Sequence, residues 1–201
     1  MPTRRLLVAT VAVIAATGVP RAQADAAETA SAFIDNLMRD LAEVINTDRP
    51  REDKQAALEK LVDANVDIAE VARFCLGRYW RTATTEQQRE YMTIFRRVLL
   101  GSVTGKIGEY RGVSYTMGRS AARDDSVDVL TILNRPGNAP NKVDWIVSTA
   151  NGSPKIIDLI AEGVSLRMTQ RSDYASYLER NNNSVQALID ALKRQANTPR
   201  G

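Results

Sequence analysis

The sequence predicts an α+β domain, and three observations carry that expectation. Apolar residues recur at helical spacing through the first half, from Phe33 to Tyr110. From Val113 to Leu166 they alternate in short runs divided by turn residues, as strands do. Helical spacing then returns between Asp173 and Gln195. No internal repeat, long linker or low-complexity block divides the chain. One domain, with helices segregated from an antiparallel sheet, is therefore the economical architecture.

The first 24 residues stand apart from that domain. Arg4 and Arg5, the apolar run Leu6 to Val19, and Ala22-Gln23-Ala24 have the form of a cleaved secretory signal. The run is shorter than the roughly 20 apolar residues of a membrane span; an uncleaved N-terminal anchor is the alternative. Residues 25–201 then make the mature domain. The chain has 27 Lys and Arg against 24 Asp and Glu; Arg4, Arg5 and Arg21 leave with the signal and no acid does, so the domain holds 24 of each. A net charge of zero gives no case for nucleic acid binding.

Within the domain, Phe33, Ile34, Leu37, Met38, Leu41, Val44 and Ile45 put a wide apolar stripe on a helix from Thr29 to Asn46. Asp48-Arg-Pro50 breaks it, with Thr47 or Asp48 placed to cap a second helix over Glu52–Asp63. Asp67 with Glu70 forms a capping box for a third helix through Phe74 and Cys75, which Gly77 bends or ends. A fourth helix, Glu86 to about Tyr110, opens on a capping box of Thr84 with Gln87 or Thr85 with Gln88. It stands between helical and strand-like halves, so it is expected to pack on the sheet and wall any cavity. Gly101, Gly105 and Gly108 near its end imply fraying, a kink or a close backbone approach.

About four strands follow, around Val113–Gly118, Ser126–Asn134, Val143–Ser148 and Ile156–Ile160. Pro136-Gly-Asn138 and Asn151-Gly152 are turn and hairpin signals, and such short connections join antiparallel neighbours. Both faces of the strands carry apolar residues, so both are expected to be covered or one to border a cavity. Two helices close the chain, Asp173–Arg180 and Ser184–Gln195, separated by Asn181-Asn-Asn183.

The chemistry is defined by what is missing. The chain has no histidine and one cysteine, Cys75. Ser-His-Asp and Cys-His catalysis, His-bearing metal sites and an internal disulfide are excluded. No phosphate-cradling glycine loop, EF-hand spacing or nucleophile elbow occurs. Asp124-Asp125 reads as a solvated turn, and Arg96-Arg97 as a solvated helix face or a docking patch for an acidic partner. Glu109 and Asp158 are isolated acids among apolar neighbours. No catalytic residue, metal or cofactor is expected.

Phe74-Cys-Leu-Gly-Arg-Tyr-Trp80, the Thr-Glu-Gln element after it, and Ile160-Ala-Glu-Gly-Val-Ser-Leu166 resemble the MlaC / toluene-tolerance family of exported phospholipid-binding proteins. The likeness runs from about Phe33 to Leu192. It implies a monomeric periplasmic carrier that holds acyl chains in a cavity between helices and sheet. It also implies transfer of phospholipid between an outer-membrane lipoprotein complex and an inner-membrane ABC transporter complex, in the upkeep of outer-membrane lipid asymmetry. A related branch accompanies hopanoid biosynthesis and implies a hopanoid or other polycyclic lipid as cargo. The chain departs from the family's aromatic-rich strand: Pro154-Lys-Ile-Ile-Asp158 lacks the two aromatics, while Trp145 stands on the preceding strand.

The expected cavity wall is Phe95, Leu99, Val103 and Ile107 from the fourth helix, with Val113, Tyr115, Val129, Trp145, Val147 and Ile157 from the sheet. Two rival readings remain. One is a ligand-free adaptor with an ordinary closed core. The other is a small hydrolase or isomerase using Glu109 or Asp158, which an arginine partner for each acid would count against.

Overall fold

In the structure, a computed structural model, residues 21–105, 110–150 and 152–198 are described. The export signal expected over residues 1–24 therefore falls mostly outside the described residues, as do Ile107 and Glu109. No helix among the described residues is long and apolar enough to cross a membrane.

The helices are α1 (Arg21–Asn46), α2 (Arg51–Asn65), α3 (Ile68–Leu76), α4 (Thr85–Thr104), α5 (Leu166–Arg180) and α6 (Val185–Asn197), with a 3₁₀ turn over Gly77–Arg81. Local chemistry sets their ends. At α4 the box is built by Thr84: its hydroxyl accepts from Gln87 N at 3.2 Å, and Gln87 Oε1 accepts from Thr84 N at 3.1 Å. At α3 only half a box forms: Asp67 accepts from Glu70 N at 2.9 Å, while the Glu70 carboxylate lies 3.8 Å from Arg167. Neither Thr47 nor Asp48 caps α2, because Pro50 occupies that place. The fourth helix stops at Thr104, short of Tyr110, with Gly105 as its C-cap. The run of glycines weakens the helix there more than the apolar spacing supports it.

The strands are β1 (Ser114–Arg123), β2 (Ser126–Asn134), β3 (Asn141–Ser148), β4 (Lys155–Ala161) and β5 (Val164–Ser165), an antiparallel meander in chain order. The fifth is one more than expected. It is a two-residue hairpin return through Glu162 and Gly163, at φ 49° and 81°. Left-handed backbone at both central residues is the tight-hairpin condition.

The molecule has two cores. In one, Ile34, Leu37 and Met38 of α1 pack on Val127, Val129, Trp145, Val147 and Ile156 of the sheet. In the other, Leu76, Tyr79, Tyr91 and Phe95 meet Tyr174, Leu178 and Ile189. This corrects the expectation for α4. Its aromatic residues face the helices: Tyr91 and Phe95 stand 6.3 and 6.5 Å from the Tyr174 ring, and Tyr91 donates to Ala72 O at 2.9 Å. The sheet is covered by α1, whose unbroken stripe buries side chains at roughly 1.5–3 kcal/mol each.

The sheet's other face is less covered than expected. Leu130, Ile132, Ile146 and Ile160 on it are half-buried. It also holds a carboxyl pair, Asp128 and Asp144. Asp128 accepts from Arg123 at 3.0 Å, but its Oδ1 and Asp144 Oδ1 have no described donor. Burial first, then the charge of Asp128 and a hydrogen bond with it, hold the Asp144 carboxyl above the usual carboxylate range; Arg119 and Arg123 oppose this. A carboxyl in that state binds its proton more tightly folded than unfolded, so its contribution to stability falls as pH rises through that range. Asp144→Asn should therefore raise the urea midpoint at neutral pH and change it little in acid. An equal shift at both would show that Asp144 does not titrate this way.

Candidate functional site

Between the two cores lies an apolar cavity of about 200 Å³. Six elements besides α5 supply its walls. Leu37 and Leu41 come from α1, Leu61 and Val62 from α2, Val71 from α3, Leu99 and Val103 from α4, Trp145 from β3, and Ile156, Ile157 and Leu159 from β4. Val66 links α2 to the sheet through a bridge with Ile156. The polar members are Asn65, Asp158 and Arg167. The lining is buried or half-buried except at Val103, 36% exposed, and Leu166, 50% exposed, so the cavity opens between the end of α4 and the start of α5.

Each wall follows from a local cause. A bulge in β4 sets Ile157 out of register between the pairs Ile146–Asp158 and Val147–Ile156. Ile156 thereby joins Leu159 on the α1 side, and both Ile156 and Ile157 reach the cavity. Trp145 pairs across with Leu159, and its indole N–H donates to Thr131 Oγ1 at 2.9 Å. With its one polar atom satisfied, the ring is an apolar wall. One of the two aromatics missing from β4 thus has a counterpart one strand away.

The segment Asp158 to Ser165 builds the edge of the mouth. Asp158 Oδ1 accepts from Leu159 N at 2.8 Å and Arg167 N at 3.0 Å; Oδ2 accepts from Ser165 Oγ at 2.6 Å and lies 3.5 Å from Arg167 Nε. Ser165 in turn caps α5, accepting from Met168 N at 3.1 Å. Glu162 Oε1 accepts from Lys142 N at 2.7 Å, fixing the hairpin on β3. The group of residues that looked like a motif is a joint that delivers Leu166 and Arg167 to the cavity.

Of the ten expected wall residues, Leu99, Val103, Trp145 and Ile157 are brought together here. Five others lie elsewhere. Phe95 is in the helical core, and Val129 and Val147 are sealed under α1. Val113 is buried beside α1, its carbonyl accepting from Asn46 at 3.1 Å, and Tyr115 reaches Asp35 at 2.9 Å. Ile107 is outside the described residues. Sequence reasoning missed Leu37, Leu41, Leu61, Val62 and Val71. The stripe on α1 was visible, but its partner was not.

The site offers little for bond-making. Asp158 is held by backbone N–H groups and Arg167, the arrangement that counts against a catalytic acid. Burial, and after it the charge of Asp158, pushes the Cys75 thiol up to about 12, far from a reactive thiolate. Arg96 is paired with Asp63, and Arg97 donates to Asn197 at 3.3 Å, so that patch is largely engaged.

Comparison with known proteins gives three likenesses. The family model described as MlaC protein matches residues 32–194. The toluene tolerance protein ttg2D of Pseudomonas putida is 25% identical over 137 residues, which make up 67% of this chain and 63% of that protein. The chain thus spans less than two thirds of that relative's length. A solved structure of a phospholipid-binding protein from Ralstonia solanacearum, in complex with a phospholipid, superposes with a TM-score of 0.72 at 23% identity, over 83% of this chain and 96% of that one. At that identity the likeness establishes the fold.

Proposed function

The chain belongs to the MlaC protein family, and from that premise we propose that it is a periplasmic lipid carrier, holding phospholipid acyl chains in the cavity between its two cores. The observation that carries this reading is the cavity's lining: aliphatic side chains and one indole beside three polar residues, Asn65, Asp158 and Arg167, with a mouth bounded by exposed Val103 and Leu166. Each methylene moved from water into such a site is worth about 0.8 kcal/mol. A single tail therefore outweighs the cost of ordering it. The Ralstonia solanacearum protein of the same fold was solved with phospholipid, which supports the cargo class. On this reading no reaction is catalysed. The carrier receives and gives up its load at an outer-membrane lipoprotein complex and an inner-membrane ABC transporter complex.

At about 200 Å³ the cavity is smaller than the roughly 300–1,000 Å³ of small-molecule sites, so uptake of a two-chain lipid widens it. The wall that gives is α2. It buries only Leu58 and Val62, whereas α1 and α4 are anchored in the two cores. Elements with little buried apolar surface open at least cost.

Native mass spectrometry of the purified protein, with lipid extraction, tests the proposal. A bound two-chain phospholipid is the expected result. A polycyclic triterpenoid would transfer the reading to the hopanoid branch, and a protein that neither carries nor takes up lipid would favour a ligand-free adaptor.

A further inference from the structure

A second concave surface lies on the outer side of α3, away from the cavity. It is a groove of about 450 Å³ between α3, the 3₁₀ turn and α5. Arg73, Arg78, Arg81 and Arg171 line it against a single acid, Glu70, with the rings of Phe74 and Trp80 among them. The domain as a whole is balanced in charge, so this is a local asymmetry. The guanidiniums are also partly positioned. Arg73 lies 5.5 Å over the Trp80 ring, and Arg171 lies 4.9 Å over Phe74 while donating to Phe74 O at 3.2 Å. The groove's own acid is directed elsewhere, toward Arg167 at 3.8 Å. Arg78 meets the exposed Glu179 at 3.3 Å; among the described residues Arg73, Arg81 and Arg171 have no carboxylate within ion-pair distance.

We infer that this groove docks an acidic protein segment, one that presents two or more Asp or Glu carboxylates with an apolar side chain between them. Guanidinium forks match carboxylates in paired hydrogen bonds, and the parts of the Phe74 and Trp80 side chains that line the groove beside the stacked guanidiniums give the apolar residue a surface to rest on. The groove is shallow and its four arginines are exposed, but the half-buried rings of Phe74 and Trp80 lie among them, a mixture that matches a segment alternating acidic and apolar side chains better than a plane of lipid headgroups. Arg167, which lines the cavity, lies 4.3 Å over the same Phe74 ring as Arg171. A segment seated in the groove is therefore one aromatic ring from the cavity mouth. The inference stands on the groove alone and not on what fills the cavity.

The test is fluorescence anisotropy with the purified protein and a labelled peptide alternating glutamate and leucine, beside a lysine–leucine control. The expected result is saturable binding of the acidic peptide only, weakened by salt and at least tenfold by the pair Arg73→Glu and Arg81→Glu. Both side chains are exposed, so the pair should fold. If it does not, Arg81→Ala should still weaken binding at least threefold. Absence of binding, or binding unmoved by these changes, overturns the inference. So does groove-dependent binding of phosphatidylglycerol vesicles or inorganic phosphate in place of the peptide.

Discussion

Leu99→Trp should give a folded protein that purifies with at least tenfold less lipid than the wild type. Leu99 faces the cavity from α4, beside Val103 and across from Trp145 and Ile157. An indole there occupies space the cargo needs, and a cavity of about 200 Å³ has little to spare. The protein itself is expected to tolerate the change. Overpacking costs roughly 1–3 kcal/mol in a closed core, and a side chain entering a void pays the low end of that range. Phe95 is the control. It is one helical turn away on α4 but buried in the other core, against Tyr91 and Tyr174. Phe95→Leu should lower the melting temperature and leave lipid content unchanged. Extraction and quantification of lipid per mole of protein, with far-UV circular dichroism for folding, separates the two outcomes. Full lipid content in Leu99→Trp would remove this cavity from the proposed function.

That contrast between Leu99 and Phe95 also marks how far the sequence can be read. Periodicity and turn chemistry locate elements because both are local. The strand Ser126–Asn134 has its expected ends, and the Thr84 box starts α4 where expected. Periodicity does not say what an apolar stripe meets. The stripes of α1 and α4 look alike in sequence, and only tertiary packing gives the sheet to α1 and the helical core to most of α4. The cavity then falls where the two cores meet, which is why it draws a few residues from each of many elements. A single bulge at Ile157 adds to the difficulty. Strict alternation puts Ile156 with Asp158 and Ile160, but the bulge moves Ile156 to the opposite face, beside Leu159. Nothing in Lys155-Ile-Ile-Asp announces it. The groove on α3 was illegible for a related reason: its arginines come from segments about 90 residues apart, and only the fold makes them neighbours.

Asp158→Ala should be the most destabilising single change at the cavity's edge, by about 3–5 kcal/mol, the range for removing one partner of a buried, hydrogen-bonded charge pair. The Asp158 side chain is 5% exposed, so solvent cannot take its place. Its loss strands the N–H groups of Leu159 and Arg167 and the hydroxyl of Ser165, and leaves the Arg167 guanidinium, among the described residues, with Glu70 at 3.8 Å as its one carboxylate. Asp158→Asn should cost less, because an amide oxygen can still accept from the two backbone N–H groups, while its NH₂ faces Ser165 and Arg167. Urea unfolding reads both as a lower midpoint at an unchanged slope. The same change should also loosen the start of α5, since Ser165 is both the helix cap and a donor to Asp158. Hydrogen exchange at Arg167 and Met168 should therefore accelerate in Asp158→Asn even where the global midpoint moves little. A midpoint shift below about 1 kcal/mol in Asp158→Ala, the scale of an ordinary exposed ion pair, would mean that this buried carboxylate does not hold the joint between β4 and α5.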